Sequence, residues 1–229
     1  MDAAFQERIQ MAFLQIVPFF MAIVFHEFGH GWMANKWGDR TAIDSGRLTL
    51  NPVAHIDPVG TLLIPLVNMV TGIPLMFGWA KPVPINPTRF RKYRPGLFWV
   101  SLAGPSANVI LALVFAILFG LCARYLPSNF IFYKELIGGE QTPGMLVIAI
   151  QINFALAFFN LLPLPPLDGA RMVESFLGYE GTQKMRVIEG YSFFILIALL
   201  WTGALNIIQG PIVYCTHQAM RISQLIYGL

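Results

Sequence analysis

Residues 26 to 30 read His-Glu-Phe-Gly-His, directly after the run "MAFLQIVPFFMAIVF", which carries no charged side chain. On a helix, histidines four apart project from one face about one turn apart, so two imidazole nitrogens can reach a single ion. Zinc accepts such neutral nitrogen donors in a tetrahedral shell, and a catalytic site leaves the fourth position to water. Glu27, beside the first histidine, can then take a proton from water whose pKa the metal lowers towards about 7. The pentapeptide holds two of the four histidines and one of the seven glutamates in the chain. Ionisable groups in an apolar helix are expensive and functional by default. The pattern predicts a zinc centre with His26 and His30 as ligands and Glu27 as general base.

A catalytic zinc needs a third protein ligand. His55 and His217 stand alone, while Glu174 and Glu189 lie in mixed sequence. Asp168, in "FNLLPLPPLDG", closes an apolar run behind Pro163, Pro165 and Pro166, which cannot sustain a helix. Two roles fit it equally on its own residues: a ligand reaching into a protein-lined cavity, or an N-cap for the helix-like "GARMVESFL". A glutamate ligand instead would make the chain a different membrane peptidase, and ionisable groups strung along a path would make it a metal transporter. His55 and Asp57, in "NPVAHIDP", read as loop-ordering groups outside the zinc shell, and His217 as an interfacial residue.

These residues must be positioned by membrane elements. The chain has 229 residues, 56% hydrophobic and 12% charged, where a soluble domain carries about 25% charged. The net charge of +3 is small and the basic residues fall in connections, which argues against a nucleic-acid partner. Cys122 and Cys215 read as small hydrophobes, and the acidic start "MDAAFQERIQ" lacks the features of a cleaved signal. Apolar runs of membrane length cover residues 9–34, 97–125, 144–162 and 190–209. A fifth apolar stretch, 59–79, is interrupted by Pro65, Gly72, Pro74 and Gly78. The expected fold is an all-α polytopic membrane protein with four transmembrane helices plus a re-entrant, partly extended segment; five or six spans are the alternative. It forms one membrane-embedded domain over 1–229, with a catalytic core at 9–170 and a C-terminal span and tail at 190–229.

Charge placement favours re-entry. If 59–79 crosses, the Lys and Arg residues divide nine to six across the membrane; if it dips in and returns, they divide eleven to four. By the positive-inside rule the N-terminus is then outside and the "KPVPINPTRFRKYR" loop cytoplasmic. His26, eight residues before the end of the first span, then lies about 12 Å deep on the cytoplasmic side, and Asp168 closes the third span on that same side.

The stretches "HEFGH", "NPVAHIDPVGT", "FGWAKPVPIN", "SLAGPSAN" and "FNLLPLPPLDG" together resemble the site-2 protease family of intramembrane zinc metalloproteases, in its short bacterial form without a PDZ domain. The resemblance runs over about residues 25–169. It implies that His26, His30 and Asp168 hold one zinc ion per chain, that Glu27 is the base, and that peptide bonds within or near a membrane span are hydrolysed. It also implies a substrate or oxyanion role for Asn160, eight residues before the aspartate. Asn153 is the weaker candidate for that role, and Asn108 reads as a helix-packing group. Membrane-anchored substrates follow from the resemblance, such as single-span regulators or signal-peptide remnants, in a bacterial inner membrane.

Overall fold

The computed structural model describes residues 3–63, 67, 81–128, 136–138 and 143–228. Three long helices build the frame: α1 (Ala3–Lys36), α3 (Tyr93–Tyr125) and α4 (Met145–Asn160). A short α2 (Thr41–Asp44) follows α1. Beyond α4 come α5 (Asp168–Glu174), α6 (Tyr179–Glu189), α7 (Ser192–Trp201) and α8 (Gln209–Gly228). No strand occurs among the described residues, only an isolated bridge between Gly138 and Pro143. The all-α expectation holds, and α1, α3 and α4 lie close to the apolar runs read from hydropathy.

Local sequence explains the boundaries. Helix α4 starts after Pro143-Gly144 and stops where three prolines within 163–166 deny it further backbone donors. Helix α3 tolerates Pro105 in its interior, as helices packed on protein neighbours can. Its apolar surface divides by face. Leu111, Ala112, Phe115 and Ala116 pack into a core with Leu146, Ala149, Ile150 and Phe154 of α4 and Ala219 of α8. Ile110, Val114, Ile117 and Leu121 point outward and are exposed, a three-to-four-residue stripe that a bilayer would cover. In lipid, apolar surface does not drive helices together, so close approach of small residues must do so. Ala112, Ala116, Ala149 and Ala219 are 0 to 1% exposed at these crossings.

By length and composition, one described helix, Tyr93–Tyr125, can cross a membrane unaided, its best window averaging a hydropathy of 2.4. The apolar run at 190–209 is not one continuous helix: α7 ends at Trp201, and the chain bends by 80° before continuing towards Gly228, a broken span or a re-entrant turn. The physical cause is local. The Thr202 hydroxyl turns back to donate to Ala198 O at 2.9 Å, and Gly203 takes the left-handed region at φ +72°, the usual end of a helix. The residues that follow form the 20-residue helix α8. It packs on α3 with Ser223 against Gly120, where an added Cβ would meet Ser223 O at 2.7 Å. Arg124 donates to Ile226 O at 3.1 Å at the far end of the same crossing.

Most of the stretch 59–79 lies outside the described residues, and with it the choice between crossing and re-entry. Its first turn, Pro58–Leu63, is described, and Asp57 accepts from Val59 N at 3.0 Å and Gly60 N at 2.8 Å to start it. After the gap, residues 81–86 run without helix beside the end of α1.

Candidate metal centre

Helix α1 presents His26 and His30 towards α3, and α5 begins at Asp168 just where the proline-rich turn delivers it to the same point. The three donor atoms form a near-equilateral triangle. His26 Nε2 lies 3.0 Å from His30 Nε2, and Asp168 Oδ2 lies 3.1 Å and 3.2 Å from the two nitrogens. Among the described residues this is the one cluster of three or more His, Cys, Asp or Glu side chains whose donors converge on a metal-sized space. Both histidines are buried and Asp168 is mostly so.

Asp168 does not cap its helix. Leu167 occupies the N-cap position, with no side-chain cap bond, and the Asp168 carboxylate turns to the histidines instead. Gly169 is needed beside it, because an added Cβ would sit 2.2 Å from Leu161 O at the end of α4. Neither Glu174 nor Glu189 joins the cluster; both line a cleft of about 230 Å³ beside the proline turn.

Hydrogen bonds fix the orientation of both imidazoles. His30 Nδ1 is 2.7 Å from Val100 O, a carbonyl that only accepts, so this nitrogen carries the proton. His26 Nδ1 is 2.6 Å from Asn108 Oδ1. The Asn108 amide nitrogen donates to Ala22 O and to Asn153 Oδ1, both at 2.9 Å, which leaves its oxygen for His26. Asn153 in turn donates to Ala149 O at 2.9 Å. With both protons held at Nδ1, the two neutral Nε2 lone pairs face each other and a carboxylate oxygen. That arrangement is self-repelling unless a cation sits among them.

The donor set fits zinc. Ligand bonds of about 2.0–2.1 Å at tetrahedral angles put donors roughly 3.3 Å apart, close to the observed 3.0 to 3.2 Å. Space for the donors depends on Gly104 of α3, where an added Cβ would lie 2.3 Å from His30 Nε2 and 2.8 Å from His26 Cε1.

Asn108 and Asn153 are both 0% exposed. The sequence offers Asn108 as a helix-packing group and Asn153 as the weaker substrate candidate; the structure puts both in one amide chain that joins α1, α3 and α4 behind His26. The signal was present, since a buried carboxamide in an apolar helix requires a partner, but that partner is 82 residues away in sequence. Groups behind a metal-bound histidine are worth about 10–100-fold in metal affinity. Asn108→Ala is expected to weaken zinc binding by that factor, measured by competition with a fluorescent chelator, with little change in helix content.

Asn160 is partly buried at the last turn of α4, and its amide nitrogen donates to Leu156 O at 3.0 Å. Glu27 accepts a hydrogen bond from Val83 N at 2.7 Å through Oε2. His55 is buried with Nε2 against Thr49 O at 2.9 Å, a loop-ordering bond, and His217 is exposed; neither approaches the triangle.

Comparison with known proteins agrees with this geometry. The sequence model of Peptidase family M50 matches residues 140–203. A Bacillus subtilis protein, YwhC, named as a candidate zinc metalloprotease, is 39% identical over 189 residues, covering 82% of this chain and 80% of its own. Rip2 of Mycolicibacterium smegmatis, named in the same way, is 31% identical over 84% of this chain and 68% of its own. A zinc metalloprotease of Methanocaldococcus jannaschii is 24% identical over 82% of this chain but 43% of its own. No solved structure gives a significant match. Similarity of that extent places this membrane protein in Peptidase family M50, the site-2 proteases, as a metalloendopeptidase.

Proposed function

We propose that this chain hydrolyses peptide bonds within or beside the span of a membrane-anchored protein, using one zinc ion per chain held by His26, His30 and Asp168. The observation that carries the reading is the donor triangle of two neutral imidazoles and a carboxylate, backed by bonds that hold both protons at Nδ1. The ion, when bound, supplies a Lewis acid for the scissile carbonyl and acidifies water. The protein supplies the rest. Glu27 takes the proton of the attacking water and returns it to the leaving amine. Asn160 has a second amide hydrogen beyond the one given to Leu156 O, and that hydrogen is assigned to the developing oxyanion or the substrate backbone.

A substrate helix must unwind before its carbonyls can react. The irregular chain at 81–86 and the proline turn before Asp168 offer non-helical backbone for it to lie along, and the 230 Å³ cleft opens between them, lined by Ile85, Pro87, Pro165 and Pro166. Strand-like pairing there would satisfy the unwound backbone at membrane depth.

The site sits near the cytoplasmic side in this reading. Gly104 is eleven residues into α3, about 16 Å from its start, and that start lies within the basic run Arg89, Arg91, Lys92 and Arg94. The positive-inside rule puts this end in the cytoplasm, as expected of a bacterial inner-membrane enzyme with its N-terminus outside. Four crossings follow if α7 and α8 count as one broken span.

The decisive experiment uses purified protein in liposomes with a single-span substrate. Chelation is expected to stop cleavage and added zinc to restore it, with the cut mapped by mass spectrometry to the span or its cytoplasmic edge. A cut confined to soluble peptides would sink the intramembrane reading.

A further inference from the structure

Outside the donor triangle, the described residues hold a buried carboxylate that the mechanism leaves unused. Asp39, just past the end of α1, is 1% exposed. Ion pairs among the described residues join Arg40 to Asp44 and the two histidines to Asp168, and none reaches Asp39. A carboxylate buried without a cation must be met by hydrogen-bond donors. Asp39 has three: Thr41 N at 3.0 Å, the Thr41 hydroxyl, and Asn86 N at 2.6 Å. The first two are local; the third comes from 47 residues later.

Asn86 ends the chain segment 81–86, and the other long-range hydrogen bonds of that segment return to α1 or the loops after it. Lys81 N donates to His55 O at 3.0 Å. Arg47 Nη2 donates to Lys81 O at 2.8 Å and Pro82 O at 3.2 Å. Val83 N donates to Glu27 Oε2 at 2.7 Å. Prolines at 82, 84 and 87 hold the residues before them extended and carry no N–H. The N–H groups of Val83 and Asn86, three residues apart, are thus given to two carboxylates twelve residues apart, Glu27 and Asp39. A displacement at one end of so short a strap is transmitted to the other.

We infer that Asp39 is a positioning residue for Glu27: by holding Asn86 it sets the strap so that Val83 N–H binds Oε2, which leaves Oε1 as the oxygen that takes the proton. Arg47 serves the same purpose from the opposite end. The inference rests on Glu27 being the base.

Asp39→Asn keeps the shape but turns an amide N–H₂ towards one of the backbone donors, so one bond is lost. Arg47→Met releases the other end. In full-length protein in liposomes, with the single-span substrate above, each is expected to lower kcat by about 10- to 100-fold, the scale of an ångström-size misplacement. KM should stay within about twofold and zinc content should be unchanged. Hydrogen exchange of the Val83 amide should accelerate in both. The double variant should lose less than the product of the two single losses, because both act through one strap. Unchanged kcat despite faster Val83 exchange would overturn the inference, as would a loss confined to KM, zinc content or thermal stability. If Asp39→Asn does not fold, Arg47→Met carries the same test. Glu27→Gln is the control: if it cleaves normally the base assignment fails, and if it is inert while Asp39→Asn and Arg47→Met are fully active, this inference alone fails.

Discussion

Glu27→Gln is expected to reduce kcat by roughly 10²–10⁴-fold, the usual contribution of a positioned general base, while zinc content stays at the wild-type level. The substitution is unusually clean here. Glutamine keeps an oxygen that can still accept from Val83 N, so the bond now made at 2.7 Å survives and the strap stays in place. What is lost is the capacity to take a proton. Asp168→Ala should give the converse result. It removes one of three donors that lie within 3.2 Å of one another, leaving two imidazoles, so metal content itself should fall. Elemental analysis beside a cleavage assay separates the two. Normal cleavage in Glu27→Gln, or full zinc occupancy in Asp168→Ala, would contradict the assignment of that residue.

Gly104→Ala is expected to do nearly as much damage with a single methyl group. On helix propensity alone, alanine in the interior of α3 should stabilise the protein by about 1 kcal/mol. The site reverses the sign. The new Cβ would fall 2.3 Å from His30 Nε2 and 2.8 Å from His26 Cε1, and His30 cannot swing aside without giving up Val100 O at 2.7 Å. Overpacking of this kind costs about 1–3 kcal/mol. Expressed wholly in metal binding, that is roughly a 5- to 150-fold weaker zinc affinity, since about 1.4 kcal/mol is tenfold. Chelator competition reads the affinity, and thermal unfolding of the zinc-free protein tests whether the clash is confined to the site. Unaltered affinity would mean that α1 and α3 separate more easily than their packing implies.

The parts of this molecule that were legible in the sequence are those whose physics is local. Histidines four apart on a helix share a face whatever the tertiary fold, and long apolar runs become helices wherever the chain places them. Asp168 was ambiguous because aspartate serves a helix N-terminus and a metal equally well, and choosing between them needs the position of residues 138 earlier. The partners of Asn108 and Asp39 were hidden for a related reason. Each is satisfied by a partner 47 to 86 residues away, and a polar residue shows its type in sequence but not its partner. The break between α7 and α8 failed differently. A window long enough to detect a span averages over the Thr202-Gly203 pair that stops the helix.

The separation between the three donors also orders events in time. His26 and His30 leave the ribosome first, Asn108 follows, and Asp168 comes 138 residues after His30. At roughly 5–20 residues per second of synthesis, the histidines wait about 7–28 s for the carboxylate that completes their site. During that interval the nascent chain lacks the third donor, and for most of it also the α4 amide of Asn153 that steadies Asn108. The donor triangle is therefore completed late in synthesis, only after α4 and the proline turn that follows it have been made.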